Sequence, residues 1–120
     1  MGWTITLPSL FAMVPVARLG VTGLLAGKMR VDVVALITSE LFTAAVRASA
    51  GDVVIRVQDG DEIRVEVHDQ RGRYPRTDAS AYQADVNAPD GLGLVSSLAT
   101  AFGSVRHRSG DCTTWAAIAL

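Results

Sequence analysis

The sequence predicts an α+β fold: a two-layer sandwich in which one mixed, mostly antiparallel sheet carries helices on one face. Three observations lead there. Two helical periodicities lie side by side between residues 10 and 49. Two β-rich runs follow, joined by an Asp-Gly turn. After a long aperiodic stretch the chain closes on a third helix and two more strand-like runs, giving the order β-α-α-β-β-loop-α-β-β.

Each element has a local reason. Trp3 to Leu7 alternates threonine with larger apolar residues and stops at Pro8, which reads as a short strand. Ser9 is placed to cap a helix from Leu10 to about Ala26, with Val14, Ala17, Val21, Leu24 and Leu25 on one side. Pro15 fits only if that helix begins near it, and Gly27 ends it. Asp32 is the N-terminal acid of a second helix that runs to about Ser49 and is closed by Gly51. Val53 to Val57 and Ile63 to Val67 are antiparallel strands joined through Gln58-Asp59-Gly60-Asp61. From about Gln70 to Asp90 the chain has no period, two prolines and several charges, as a binding lid or a disordered segment would. Gly91 and Gly93 open an apolar helix through Ala101, followed by strands over Ser104 to Arg108 and Thr113 to Ala119.

Composition bounds the function. The chain of 120 residues, 49% hydrophobic, reads as one domain over residues 1–120 and buries about two thirds of the surface its unfolded form would expose. A net charge of -1 leaves no basic footprint for nucleic acid or anionic lipid. Leu10 to Gly27, the longest apolar stretch, contains Arg18 and reads as a soluble helix rather than a membrane span. Cys112 is alone, so no internal disulfide forms, and no Cys/His cluster has metal-ligand spacing; a reducing, cytoplasmic setting is expected.

The second helix carries the most informative residue. Glu40 falls in a row with Val33, Ile37, Ala44 and Ala48 at spacings of three and four, so an acid shares a face with small and apolar side chains. Burying a carboxylate costs several kcal/mol (about 2 or more) unless it is paired. Glu40 therefore either lines a cavity or sits at the edge of the stripe, while Asp32, Ser39, Thr43 and Arg47 are expected on the solvated side. At the other end of the sequence, Gly91 and Gly93 at a helix start form a potential anion site, since free N–H groups and a partial positive charge lie there. Asp69 reads on its own as a strand-ending acid next to a turn. His68 should point to the opposite sheet face, and His107 reads as part of a solvated strand. Trp3 and Trp115 are candidates to pack across the sheet, and Arg71, Arg73 and Arg76 make a basic stretch suited to phosphates, an acidic partner or plain solvation.

Taken in order, Ser39-Glu40-Leu41, Val65-Glu66-Val67-His68-Asp69, Gly91-Leu92-Gly93-Leu94-Val95 and Thr113-Thr114-Trp115-Ala116 resemble the gyrase and histidine-kinase (GHKL) type of ATP-binding fold. More narrowly, the chain is similar to the anti-sigma-factor serine kinases and their small actinobacterial relatives, from about Leu10 to Leu120. The resemblance implies roles residue by residue. Glu40 would orient the group that attacks the γ-phosphate, and Asp69 would accept a hydrogen bond from the adenine amino group. Arg47, Gly91, Gly93 and Thr113 would complete the nucleotide pocket, with Pro75 at the start of a lid over about 70–90.

The departures from that family are equally specific. Its magnesium-ligating asparagine is replaced by Ala44, which has no oxygen to give. The first glycine of its lid exit aligns with Pro89, and its lysine before the last threonine aligns with Asp111 or Cys112. The resemblance thus implies a regulatory protein that acts mainly by binding a sigma factor or an anti-sigma antagonist, with a homodimer through the N-terminal strand as an option. ATP or ADP would bind weakly or not at all, and magnesium would be poorly held. The alternative is an active ATP-dependent serine/threonine kinase of the same type, with Glu40 as base.

Overall fold

A computed structural model of the chain describes residues 1–76 and 91–119. Strand β1 (Gly2–Leu7) leads through a single 3₁₀ turn (Phe11–Met13) into helix α1 (Val14–Leu24) and helix α2 (Val31–Ala48). The hairpin β2 (Val53–Asp59) and β3 (Glu62–Asp69) follows, then helix α3 (Gly91–Leu98) and the hairpin β4 (Ala101–Arg106) and β5 (Cys112–Ala119). The α+β class is as the periodicities predict.

The sheet order is β1-β2-β3-β5-β4, and every pairing among the described strands is antiparallel, so the sheet is not mixed. The reason lies in the crossover through α3. It brings the chain back in the direction of β3, but β4 lands at the sheet edge and β5 inserts between the two parallel strands.

One apolar core lies between the helices and one sheet face. Ala17, Val21 and Leu25 come from α1 and the turn after it, Ile37, Leu41, Phe42 and Val46 from α2, and Val95 from α3. They meet Val53, Ile55 and Val57 of β2, Ile63, Val65 and Val67 of β3, and Ala116 and Ile118 of β5. Fully burying each large side chain in such a layer contributes about 1.5–3 kcal/mol, which fixes the strand register because a one-residue slip would put the whole set in water. No helix among the described residues is long and apolar enough to cross a membrane.

Several boundaries differ from expectation. Ser9 does not cap a helix. Its hydroxyl donates to the Ser49 carbonyl, the helical path begins at Phe11, and Pro15 sits in the first turn of α1, where it costs no hydrogen bond. The third helix stops at Leu98 rather than Ala101, and β4 begins three residues earlier than expected. Thr100 already donates its N–H to the Ala117 carbonyl, so the sheet edge captures the chain. Trp3 and Trp115 lie on opposite faces. Trp3 packs on the core, whereas Trp115 pairs with Glu66 and Gly103 on the face without helices. Of the expected lid, the portion over 77–90 lies outside the described residues.

Candidate functional site

The α2 face is turned slightly from the row expected around Glu40. Val34, Ile37, Thr38, Leu41, Phe42, Ala45 and Val46 are buried, while Glu40 is half-buried and Ala44 is exposed. Glu40 thus sits at the edge of the apolar stripe, and among the described residues it has no hydrogen-bond or ion-pair partner. Ser39, expected in solvent, is buried instead. It fits because its hydroxyl donates to the Ala35 carbonyl at 3.0 Å, as Thr38 does to Val34 at 2.8 Å. Arg47 is exposed in the last turn, where its charge suits the helix C-terminus. It stands two turns, about 10 Å, along the helix from Glu40.

Asp69 closes β3 with its side chain on the helix-facing side, 2% exposed. Arg71, two residues on, covers it completely. Nε donates to Oδ1 at 2.8 Å and Nη2 to Oδ2 at 2.6 Å, and the Arg71 backbone N–H adds a third bond to Oδ1 at 3.0 Å. The backbone bond is an Asx turn, the natural fate of an acid at a strand end. The planar guanidinium then matches both carboxylate oxygens at once. These hydrogen bonds hold Arg71 above its already high ordinary pKa, against a smaller opposing effect of burial.

Asp111 is fixed in a similar way. It is 4% exposed, accepts the Gly72 N–H at 3.0 Å, and faces Arg73 Nη2 at 3.5 Å and His68 Nε2 at 3.7 Å. The turn 70–73 is thereby pinned to the turn 107–111. The two backbones meet so closely that a Cβ on Gly72 would lie 2.1 Å from the Ser109 carbonyl oxygen. Arg76 donates to the carbonyls of Val46 and Ser9, and Pro75 bridges to Ser49. The basic stretch is therefore not a free cationic strip: all three arginines turn back onto this chain's own carboxylates and carbonyls.

The predicted site residues fall into two groups. Glu40, Arg47, Asp69 and the first turn of α3 belong to the helix side of the sheet. Among the described residues nothing lies within 4 Å of where a Cβ on Gly93 would be, so close packing against them does not require glycine there. Thr113 is elsewhere. It pairs with His68, whereas Asp69 pairs with Cys112; successive residues alternate sides, so Thr113 and His68 share the face without helices, as expected for His68. There Thr113 Oγ1 lies 3.0 Å from His68 Nδ1 and 2.8 Å from His107 Nε2, with the two imidazole centroids 5.5 Å apart. His107 is thus joined to a side-chain cluster rather than simply solvated. Among the described residues no group of three His, Cys, Asp or Glu side chains is arranged to hold a metal ion.

Arg71 is the residue whose role reading the sequence missed. The signal available was the Asp-x-Arg spacing at the end of a strand, where an Asx turn brings the second residue after the acid back over it. No family model matches the chain, and no curated protein matches it.

Proposed function

We propose that this chain is a regulatory, protein-binding relative of the anti-sigma-factor serine kinases in which nucleotide binding is weakened or lost. The observation that carries the reading is the capping of Asp69 by Arg71. The residue matching the adenine acceptor already accepts three hydrogen bonds, two of them from a guanidinium. Hydrogen bonds to charged groups are worth about 1.5–3 kcal/mol each, so the single bond from an adenine amino group does not offset the loss of the Arg71 pair. Three further features support it. Ala44 has no oxygen for magnesium and faces solvent. Thr113 is turned away from the helix side, and the family's lysine aligns with Asp111 or Cys112, neither of which brings a cation to a phosphate.

A protein partner, a sigma factor or an anti-sigma antagonist by the resemblance, would then meet a surface rather than a loaded pocket. The N-terminal helical segment exposes Leu10, Phe11, Val16 and Leu19, apolar area suited to such a contact. One observation favours the runner-up, an active serine/threonine kinase. Glu40 keeps a half-buried carboxylate at the edge of α2, unpaired among the described residues, as a positioning base requires.

Calorimetric titration of ATP and ADP, with and without magnesium, into the protein and into Asp69→Asn separates the two. The proposal expects no binding, or weak binding that magnesium does not change. Tight, magnesium-dependent binding that Asp69→Asn abolishes would overturn it and support the kinase.

A further inference from the structure

The sheet face opposite the helices carries a cleft of about 270 Å³ that the proposed function does not use. Its polar lining is Arg56, Arg64, His68, His107 and Thr113, with Trp115 beside them and Glu66 as its one carboxylate. The whole chain carries a net charge of -1, so this concentration of cationic and imidazole groups is not inherited from a basic composition.

The groups are held in place. Arg64 lies over the Trp115 ring, 4.2 Å from its centroid, and its Nε donates to Glu66 Oε1 at 3.0 Å. Both Nη groups of Arg64 are left without a partner among the described residues. The indole is accommodated because Gly103, opposite it on β4, has no Cβ; one there would stand 2.9 Å from the Trp115 Nε1. Arg56, exposed on β2, forms no ion pair among the described residues. On the other wall Thr113 Oγ1 serves both imidazoles, and one hydroxyl proton can satisfy only one of them, so the other imidazole must donate. His68 Nε2 is directed to Asp111, so His68 Nδ1 accepts the Thr113 hydroxyl proton and His107 Nε2 is the nitrogen that donates to Thr113 Oγ1.

We infer that this cleft is a binding site for a small organic oxoanion, a phosphomonoester or carboxylate with a compact apolar body. The oxoanion meets Arg56 and the Nη groups of Arg64, with the His68–Thr113–His107 chain forming the wall beside them. The apolar body lies on Val54 and Val105, which complete the lining. Planar, multi-donor guanidinium groups suit such oxygens. The volume sits just under the range of about 300–1,000 Å³ usual for small-molecule pockets, which limits the body to roughly one ring.

The test is an NMR titration of the intact protein with phenyl phosphate, benzoate and inorganic phosphate, followed at the Trp115 indole and the His68 and His107 ring signals. The expected result is saturable shifts confined to this face, tighter for phenyl phosphate or benzoate than for inorganic phosphate; which of the two organic anions binds better assigns the oxoanion. Arg56→Gln and Arg64→Gln, both on the sheet face without helices, should each weaken binding about tenfold, one charge-assisted contact, while Arg18→Gln on α1 changes nothing. Equal losses in Arg18→Gln, or no saturable shift with either organic anion, overturn the proposal. So do Trp115 shifts that follow protein concentration alone, which would mark the face as an interface between two copies. A single-stranded oligonucleotide that binds while both organic anions fail would likewise overturn it, and assign the face to nucleic acid.

Discussion

The guanidinium of Arg71 grips both carboxylate oxygens of Asp69 from only two residues away, at 2.8 and 2.6 Å. A carboxylate held this closely to β3 is paired with a cation and has three of its roughly four acceptor sites filled within the fold, before any ligand arrives. The same short connection sets the direction of the chain as it leaves the strand, so the pair acts on structure and on binding at once.

Arg71→Ala should destabilise the fold by about 1–3 kcal/mol, because it leaves the buried Asp69 carboxylate with only its backbone bond, while partial exposure of Arg71 keeps the loss below that of a fully buried pair. Arg71→Lys should restore only part, since an ammonium cannot reproduce the two parallel bonds. Urea denaturation of the three proteins measures both. Equal stability of Arg71→Ala and the parent would show that the pair contributes nothing to folding.

Gly72→Ala should cost more, about 3 kcal/mol or above, by forcing apart two backbones that cannot repack as side chains do. A Cβ there would lie 2.1 Å from the Ser109 carbonyl oxygen and 2.6 Å from the Asp111 nitrogen. Gly93→Ala is the contrasting case. With no described atom within 4 Å of a new Cβ in α3, alanine should be neutral or stabilising by about 0.5–1 kcal/mol through its higher helix propensity. Thermal unfolding should show a lowered midpoint for Gly72→Ala and an unchanged or raised one for Gly93→Ala.

Gly103→Ala should displace the Trp115 indole, whose Nε1 and Cζ2 would stand 2.9 and 3.0 Å from the new methyl group. The ring is half-buried on an open face and can swing outward, so the expected cost is only about 1–2 kcal/mol. Loss of the Arg64 stacking geometry should appear as a changed near-ultraviolet circular dichroism signal in a Trp3→Phe background. An unchanged signal would show that the ring does not depend on the glycine.

Ala44→Asn places an amide at an exposed helical position, so its cost should not exceed the propensity difference of about 0.7 kcal/mol. By itself it should not create magnesium-dependent ATP binding, because Asp69 remains capped. Titration calorimetry of Ala44→Asn and of the double variant with Arg71→Ala checks this. Binding gained in the single variant would show that the metal ligand alone had been missing.

The element types and order were legible because hydrophobic periodicity reports which face of each segment is buried. The α2 stripe, the Val53 to Val67 hairpin and the third helix all announce themselves this way. The split of the site was less legible. His68 and Asp69 alternate in any strand, but that Thr113 joins His68 rather than Asp69 depends on the register between β3 and β5, which no local pattern contains. Glu40 illustrates the limit within one helix. A rotation of a fraction of a turn separates a buried acid from an edge acid, and hydroxyls such as Ser39 can be buried by bonding backward to the helix carbonyls.

By itself the sequence determined the α+β class and the succession of helices and strands, since these follow from the spacing of apolar residues along the chain, and it set the core-facing side of α2 only to within a fraction of a turn. Only the tertiary structure decided that all strands run antiparallel, that Arg71 pairs with Asp69, that the turns at Gly72 and Gly110 interlock, and that two histidines and two arginines gather on the uncovered face. Those outcomes rest on contacts between residues that are distant in sequence, or on the direction a side chain takes as it leaves a turn. Periodicity carries no information about either.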